Sequence, residues 1–368
     1  MNPLVELQKQ GQSFWYDNIR RKYLHDGTLK GLIDNDGLRG MTSNPSIFEK
    51  AIGGSDDYDK QLGPLATAGA ETQVIYEALA IQDIQAACDL FADLFAESSG
   101  GDGYVSLEVS PHLARDTAGT VAEAKRLFTA VNRANLMIKV PATPEGIPAI
   151  RDLIGAGLNI NVTLMFSMAH YEAVAQAYID GLKLLAAVDG DVRQPASVAS
   201  FFVSRVDTAV DKKLAALNVP ATNALMGKTA VANSKVVYQR YKEIFHGNAF
   251  ADLRQAGARP QRLLWASTST KNPAYPDTLY IDSLIGSETV NTIPPQTVDA
   301  FRDHGQTAAT LENEVEAAQQ ILSRLAQVGI DLNGVTEQLQ IDGVNAFAAS
   351  FDTLMQAIEA KRAALIAA

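Results

Sequence analysis

Lys139 sits in the middle of Leu136-Met137-Ile138-Lys139-Val140-Pro141-Ala142-Thr143, a short apolar run with the two-residue period of a strand. Leu136, Ile138 and Val140 share one face, and Met137, Lys139 and Pro141 share the other. In apolar surroundings the ammonium form of a lysine is disfavoured, its pKa falls, and the free amine becomes a nucleophile at neutral pH. The plainer alternative is a stem that snorkels to solvent or an amine that pairs with a carboxylate. Polar residues at comparable places bear on that choice. Asp17, Asn44, Glu108, Asn161, Thr163 and Ser200 each stand at or near the end of a strand-like run. Singly, an Asn or Thr there is a turn or capping residue. Together with Lys139 they supply one amine, two carboxylates and several neutral hydrogen-bonding groups. A Schiff-base enzyme needs that set: the amine attacks a ketone, an acid protonates the departing hydroxyl, and a base takes a proton when a carbon–carbon bond breaks. The protonated imine is itself the electron sink, so this chemistry asks for no metal and no cofactor.

Those residues reach one cavity only if the elements carry them there. Ser13 to Asp17 and Leu38 to Asn44 read as the first two strands, the second stopped by Pro45. Tyr104 to Val109, the lysine run, Leu158 to Leu164, Ser197 to Val203, Arg262 to Ala266 and Glu288 to Thr292 bring the count to eight. Helical spacing marks Leu4 to Gln12 before them. Between them it marks Ile19 to Lys30, Asp56 to Gly63, Glu71 to Phe95, Thr117 to Asn132, Glu145 to Ala156, Ala169 to Ala187, Val206 to Leu217 and Ala230 to Ile244. Eight strands alternating with helices predict an α/β fold, a single (β/α)8 TIM barrel with additional N-terminal and C-terminal helices. An open doubly wound sheet would show apolar residues on both faces of its central strands. Here the third and fifth strands carry Ser106, Glu108, Asn159, Asn161 and Thr163 on one face, and no glycine-rich dinucleotide turn follows the first strand. Beyond residue 295 the pattern is wholly helical: Thr297 to Asp303, Thr310 to Leu325, Val335 to Gln340 and Gly343 to Ala367. With no linker-like composition ahead of it, residues 296–368 read as a helical extension packed on the barrel within one domain, 1–368.

The net charge of -11 argues against a nucleic-acid partner or an anionic membrane surface, but not against a small anionic substrate held by a few local cations. No apolar run reaches the roughly 18 residues of a spanning helix. Met1-Asn2-Pro3-Leu4-Val5-Glu6 lacks the basic-then-apolar build of a secretory signal, so a cytoplasmic location is expected. The single cysteine, Cys88, lies in an apolar helical run and reads as a buried thiol. His25, His112, His170, His246 and His304 form no close ligand pair, so no metal site is expected.

For an anion, Arg205 follows the sixth strand, and the Ser267-Thr268-Ser269-Thr270-Lys271-Asn272 turn follows the seventh. Hydroxyls, backbone donors and cations near the last strands are where barrels commonly bind phosphate. The alternative is that Arg205 pairs with Asp207 and Lys271 is simply solvated. Gly227-Lys228-Thr229 is not a phosphate loop, because Thr222 stands where the motif needs glycine.

Five segments then resemble the transaldolase family in order and spacing: Thr42-Ser43-Asn44-Pro45-Ser46-Ile47-Phe48, Val105-Ser106-Leu107-Glu108-Val109, Ile138 to Thr143, Asn161-Val162-Thr163-Leu164-Met165-Phe166-Ser167 and Ser200-Phe201-Phe202-Val203-Ser204-Arg205. The resemblance implies a cofactor-free barrel that passes a dihydroxyacetone unit between sugar phosphates, as monomer or homodimer. Lys139 matches the family's Schiff-base lysine, and Asp17 the acid/base of carbon–carbon cleavage. Glu108 and Thr163 match the pair that holds a catalytic water. Asn44, Asn161 and Ser200 match the groups that bind the dihydroxyacetone hydroxyls, and Arg205, Ser269 and Lys271 fall where phosphate is bound. The sequence departs from the pattern at Lys271, where well-known members carry arginine in a shorter turn; lysine supplies charge without the bidentate fork. Three other readings stay open: a fructose 6-phosphate aldolase releasing free dihydroxyacetone, a barrel holding pyridoxal phosphate on Lys139, and a non-catalytic sugar-phosphate-binding protein.

Overall fold

A computed structural model describes residues 2–367. Eight parallel strands close into a barrel in chain order. They are β1 (Gln12–Asp17), β2 (Gly40–Thr42), β3 (Tyr104–Glu108), β4 (Leu136–Pro141), β5 (Ile160–Met165), β6 (Ser197–Phe202), β7 (Arg262–Ala266) and β8 (Thr289–Ile293). The seam is the pairing of β1 with β8, from Gln12 opposite Thr289 to Tyr16 opposite Ile293. This is the expected TIM barrel, with helices packed around it.

Register places the polar residues. Glu108 lies opposite Lys139, and Lys139 opposite Asn161. Partners in a parallel ladder point to the same side of the sheet, so these three share one inner row. Thr163 pairs with Pro141 one step nearer the mouth, and Asp17 pairs with Thr42 across the β1–β2 edge. The apolar alternates (Leu136, Ile138, Val140, Ile160 and Val162) are fully buried beneath the surrounding helices. Trp15 fills the barrel interior, and a Cβ on Gly40 would lie 2.5 Å from its ring, so that strand position admits only glycine.

At the N-terminal end of the barrel Asp102 is a buried hub. It accepts from Ser13 Oγ at 2.7 Å, Trp15 Nε1 at 3.1 Å, Arg39 Nε at 2.7 Å and Arg262 Nη2 at 3.0 Å. Burial works against its charge, but Arg262 and Arg39 outweigh it and hold the carboxyl below the usual range.

Several elements differ from the sequence expectation. The second strand spans only Gly40–Thr42, because Pro45 begins a short helix capped by Asn44. The helical run Ile19 to Lys30 is two helices, Arg21–His25 and Thr28–Asp36, broken where Gly27 takes a left-handed φ of 87°. The run Glu71 to Phe95 divides at Phe91 into Thr72–Leu90 and Ala92–Glu97. The tail is continuous where a break at residues 341–342 was expected: one helix spans Leu332–Ala367. Glycine in a helix interior costs about 1 kcal/mol, but Gly343 lets this helix approach the barrel. A Cβ there would stand 2.8 Å from Leu164 Cδ2. Leu164 itself, in β5, has a φ of 62°, and the β5–β6 register shifts between Val162 and Met165. A left-handed leucine costs on the order of 1–2 kcal/mol.

Candidate active site

Lys139 is 5% exposed, which removes the snorkelling alternative. Its surroundings are polar rather than apolar. Nζ donates to the Ser43 carbonyl at 2.9 Å and stands 3.3 Å from Glu108 Oε2. The turn after β2 and the end of β3 supply both groups, and the Phe347 ring, its centroid 6.0 Å away, gives an apolar wall. The group nearest this amine on the cavity side is therefore a carboxyl that can exchange protons with it.

That carboxylate is itself perturbed. Burial raises the Glu108 pKa, the Lys139 charge lowers it, and Asp17 raises it, with a net upward shift. Glu108 Oε2 lies within ion-pair distance of Lys139 yet has no well-directed hydrogen-bond donor. Glu108 also lines a separate space of about 20 Å³ beside Tyr76, enough for one water.

Asp17 accepts from Thr42 Oγ1 at 2.7 Å, and Thr42 in turn contacts Thr292 Oγ1 at 2.6 Å. Burial raises the Asp17 pKa more than the Thr42 hydrogen bond and the positive Lys139, Arg205 and Lys271 lower it. Two carboxyls with enhanced proton affinity thus flank one amine, the pattern acid/base chemistry requires.

Thr163 is fully buried, and its Oγ1 has no partner although it lines the cavity. One step deeper, Asn161 Nδ2 donates to Ser106 Oγ at 3.0 Å, and Ser200 Oγ donates to Asn161 Oδ1 at 2.7 Å. Ser200 reaches the cavity from that chain. Asn44 lines it too while its Oδ1 caps the helix Pro45–Phe48, accepting from Ile47 N at 3.0 Å. The capping alternative and the site placement both hold for this residue.

The cavity, about 170 Å³, runs from Lys139, Thr163 and Ser200 to Arg205, Ser269 and Lys271. It continues into a vestibule of about 590 Å³ to which Lys50 and Arg20 add charge. Arg205 does not pair with Asp207. That carboxylate turns inward, accepting from Ala230 N at 2.7 Å and Tyr280 Oη at 2.9 Å. The Arg205 guanidinium lies 5.2 Å from the Phe202 centroid and 5.9 Å from that of Phe347, with no ion-pair partner among the described residues. Burial lowers its pKa and Asp17 raises it. Lys271 is exposed and donates to Ser269 Oγ at 2.6 Å; partial burial, then Arg205 and Lys50, lower its pKa. Cations whose charge is disfavoured by burial, and for Lys271 also by neighbouring cations, gain from a bound anion.

Of the residues singled out in the sequence, Asp17, Asn44, Lys139, Thr163, Ser200, Arg205, Ser269 and Lys271 line this cavity, whereas Glu108 reaches it only through Lys139 and Asn161 only through Ser200. Thr42, Phe202 and Phe347 were passed over. The first two stood inside segments already singled out, whereas nothing but helical period marked Phe347, which arrives from the C-terminal helix.

The transaldolase/fructose-6-phosphate aldolase family profile matches residues 14–358. A transaldolase of Thiobacillus denitrificans is 50% identical over 97% of this chain and 100% of its own length. Transaldolases of Trichodesmium erythraeum, 45% identical over 98% and 97% of the two chains, and of Thermobifida fusca, 44% identical over 99% of each, are similar along the same span. A barrel with a buried lysine between two carboxyls, and a profile match reaching from β1 into the final helix, identify the chain as a member of the transaldolase/fructose-6-phosphate aldolase family.

Proposed function

We propose that the chain is a transaldolase that transfers a dihydroxyacetone unit through an imine on Lys139. Donors are fructose 6-phosphate or sedoheptulose 7-phosphate; acceptors are erythrose 4-phosphate or glyceraldehyde 3-phosphate. The observation that carries this reading is the buried Lys139 amine, 3.3 Å from a Glu108 carboxyl whose proton affinity is raised. The amine adds to the C2 ketone. Glu108, with a water shared with Thr163, delivers the proton that lets the carbinolamine lose its hydroxyl as water. Asp17 then takes the proton of the C4 hydroxyl as the C3–C4 bond breaks, and the electron pair moves onto the enamine. The aldose leaves, the enamine adds to the incoming aldehyde while Asp17 returns the proton, and water hydrolyses the new imine. Asn44, Asn161 and Ser200 hold the dihydroxyacetone hydroxyls, and Arg205, Ser269 and Lys271 hold the phosphate. Residues 296–368 belong to the same catalytic unit. The cytoplasm is the proposed location; among the described residues, no helix is long and apolar enough to cross a membrane.

Borohydride reduction with fructose 6-phosphate, followed by peptide mass mapping, tests the reading. A reduced adduct on Lys139, together with sedoheptulose 7-phosphate formed from erythrose 4-phosphate, supports it. An adduct on another lysine, or none, sinks the mechanism. Accumulation of free dihydroxyacetone without transfer would make the chain an aldolase.

A further inference from the structure

The C-terminal helix Leu332–Ala367 meets the cavity along one face, on which Gln340, Gly343 and Phe347 follow one another at turn spacing. Gln340 is 6% exposed, and its amide Nε2 donates to two backbone carbonyls, Ala142 at 2.9 Å and Leu164 at 3.0 Å. These carbonyls close the ends of adjacent strands. The last ladder bond between β4 and β5 runs from Ala142 N to Thr163 O at 2.8 Å. Gln340 acts where the ladder stops, joining the two strand ends through a side chain from the far end of the chain.

The place it grips is irregular. Leu164 has a φ of 62° and lies within the interval where β5 slips register against β6. The preceding residue is Thr163, whose hydroxyl is buried and unpartnered at the cavity wall. Three residues before Ala142 is Lys139. A left-handed peptide persists only when its surroundings over-determine it, and here the Gln340 amide holds the Leu164 carbonyl while the Gly343 backbone packs against the Leu164 side chain.

We propose that Gln340 is a positioning residue for the Lys139 chemistry: its amide ties the ends of β4 and β5 and thereby sets where Thr163 stands relative to the imine-forming amine. The inference rests on the role given above to Lys139. Gln340 touches no substrate; it acts through the two strand ends.

Gln340→Met and Gln340→Glu keep the length of the side chain and remove both N–H donors. Glu337→Gln, on the same helix with its side chain 60% exposed and bonded to His170, is the control for a loosened helix. Both Gln340 variants are expected to lose about 10–100-fold in kcat, the cost of a slightly misplaced group, with the KM for fructose 6-phosphate within about threefold of the parent. Borohydride-trappable imine forms more slowly, and amide exchange of the Leu164–Phe166 segment speeds up. Glu337→Gln changes none of these. Parental kcat in the Gln340 variants, or an equal loss in Glu337→Gln, overturns the proposal. If the Met variant fails to fold, the Glu variant carries the same measurements. If the unmutated enzyme forms no adduct on Lys139, the functional reading fails instead, and the exchange rates alone decide whether Gln340 holds the strand ends.

Discussion

Asp17 and Glu108 both bind their protons more tightly than ordinary carboxyls, and burial is the leading cause for each. Their neighbours divide the work. Glu108 faces the amine directly, whereas Asp17 is tied to Thr42 and lies nearer the cations of the vestibule. Asp17→Asn is therefore expected to leave imine formation on Lys139 intact and to stop carbon–carbon cleavage. Borohydride trapping should persist while kcat falls by at least about 10²-fold, within the usual range for a lost acid/base. Loss of trapping would instead move Asp17 into the imine-forming step. As a base Asp17 must be ionised, and its pKa is raised, so the acid limb of kcat should lie at higher pH than for an unperturbed aspartate. Arg205 carries a separate claim. It has no ion-pair partner among the described residues and two aromatic rings beside it, and the proposed function gives its charge to the substrate phosphate. Arg205→Ala should raise KM for phosphorylated substrates about tenfold or more, hydrogen bonds to charged groups being worth about 1.5–3 kcal/mol. KM for unphosphorylated glyceraldehyde as acceptor should hardly move. An unchanged KM for the phosphorylated substrates removes Arg205 from the site.

The strands were legible because alternation and turn residues mark them locally: β7 spans Arg262–Ala266 as read, and β4 differs only at its end. The polar inner row of β3, β4 and β5 followed from the same alternation. Helix boundaries were less legible. Glycine has two opposite uses, stopping a helix at Gly27 and admitting a close approach at Gly343, and only tertiary contact separates them. The same limit hid Gln340 and Phe347, whose partners lie far away in sequence. The helix Ser204–Leu217, which carries Arg205, shows what such contacts do. Asp207 on it binds the first turn of the helix Thr229–Phe245 and the Tyr280 hydroxyl, and burial pushes its pKa up to about 6. In the unfolded chain the same carboxyl ionises near pH 4. As pH rises from about 4 to 6 the unfolded chain gives up this proton first, so the group withdraws up to about 3 kcal/mol of stability across that window. Asp207→Asn should flatten that segment of the curve of Tm against pH. If the variant's curve keeps the parental slope between pH 4 and 6, the carboxyl is ionised in the folded protein.

At the scale of the whole molecule the two ends of the barrel have different duties. The C-terminal mouth gathers the amine, the carboxyls and the cations, whereas the N-terminal end is closed by Trp15 and the Asp102 hub. Conventional barrel logic assigns chemistry to the first end and stability to the second. Asp102 joins residues from β1, from the approach to β2 and from β7, so it ties together segments on both sides of the β8 seam. Its partners Arg39 and Arg262 have no other carboxylate among the described residues. Asp102→Asn would leave two largely buried guanidinium groups without a counter-ion, and breaking a buried pair from one side costs about 3–5 kcal/mol. The expected result is a Tm lowered by several degrees with kcat and KM unchanged at temperatures where the variant stays folded. Denaturant titration and steady-state kinetics on the same preparation separate the two effects. A fall in kcat without a fall in stability would mean that the two ends of the barrel are coupled, and that the hub at the floor helps set the geometry at the mouth.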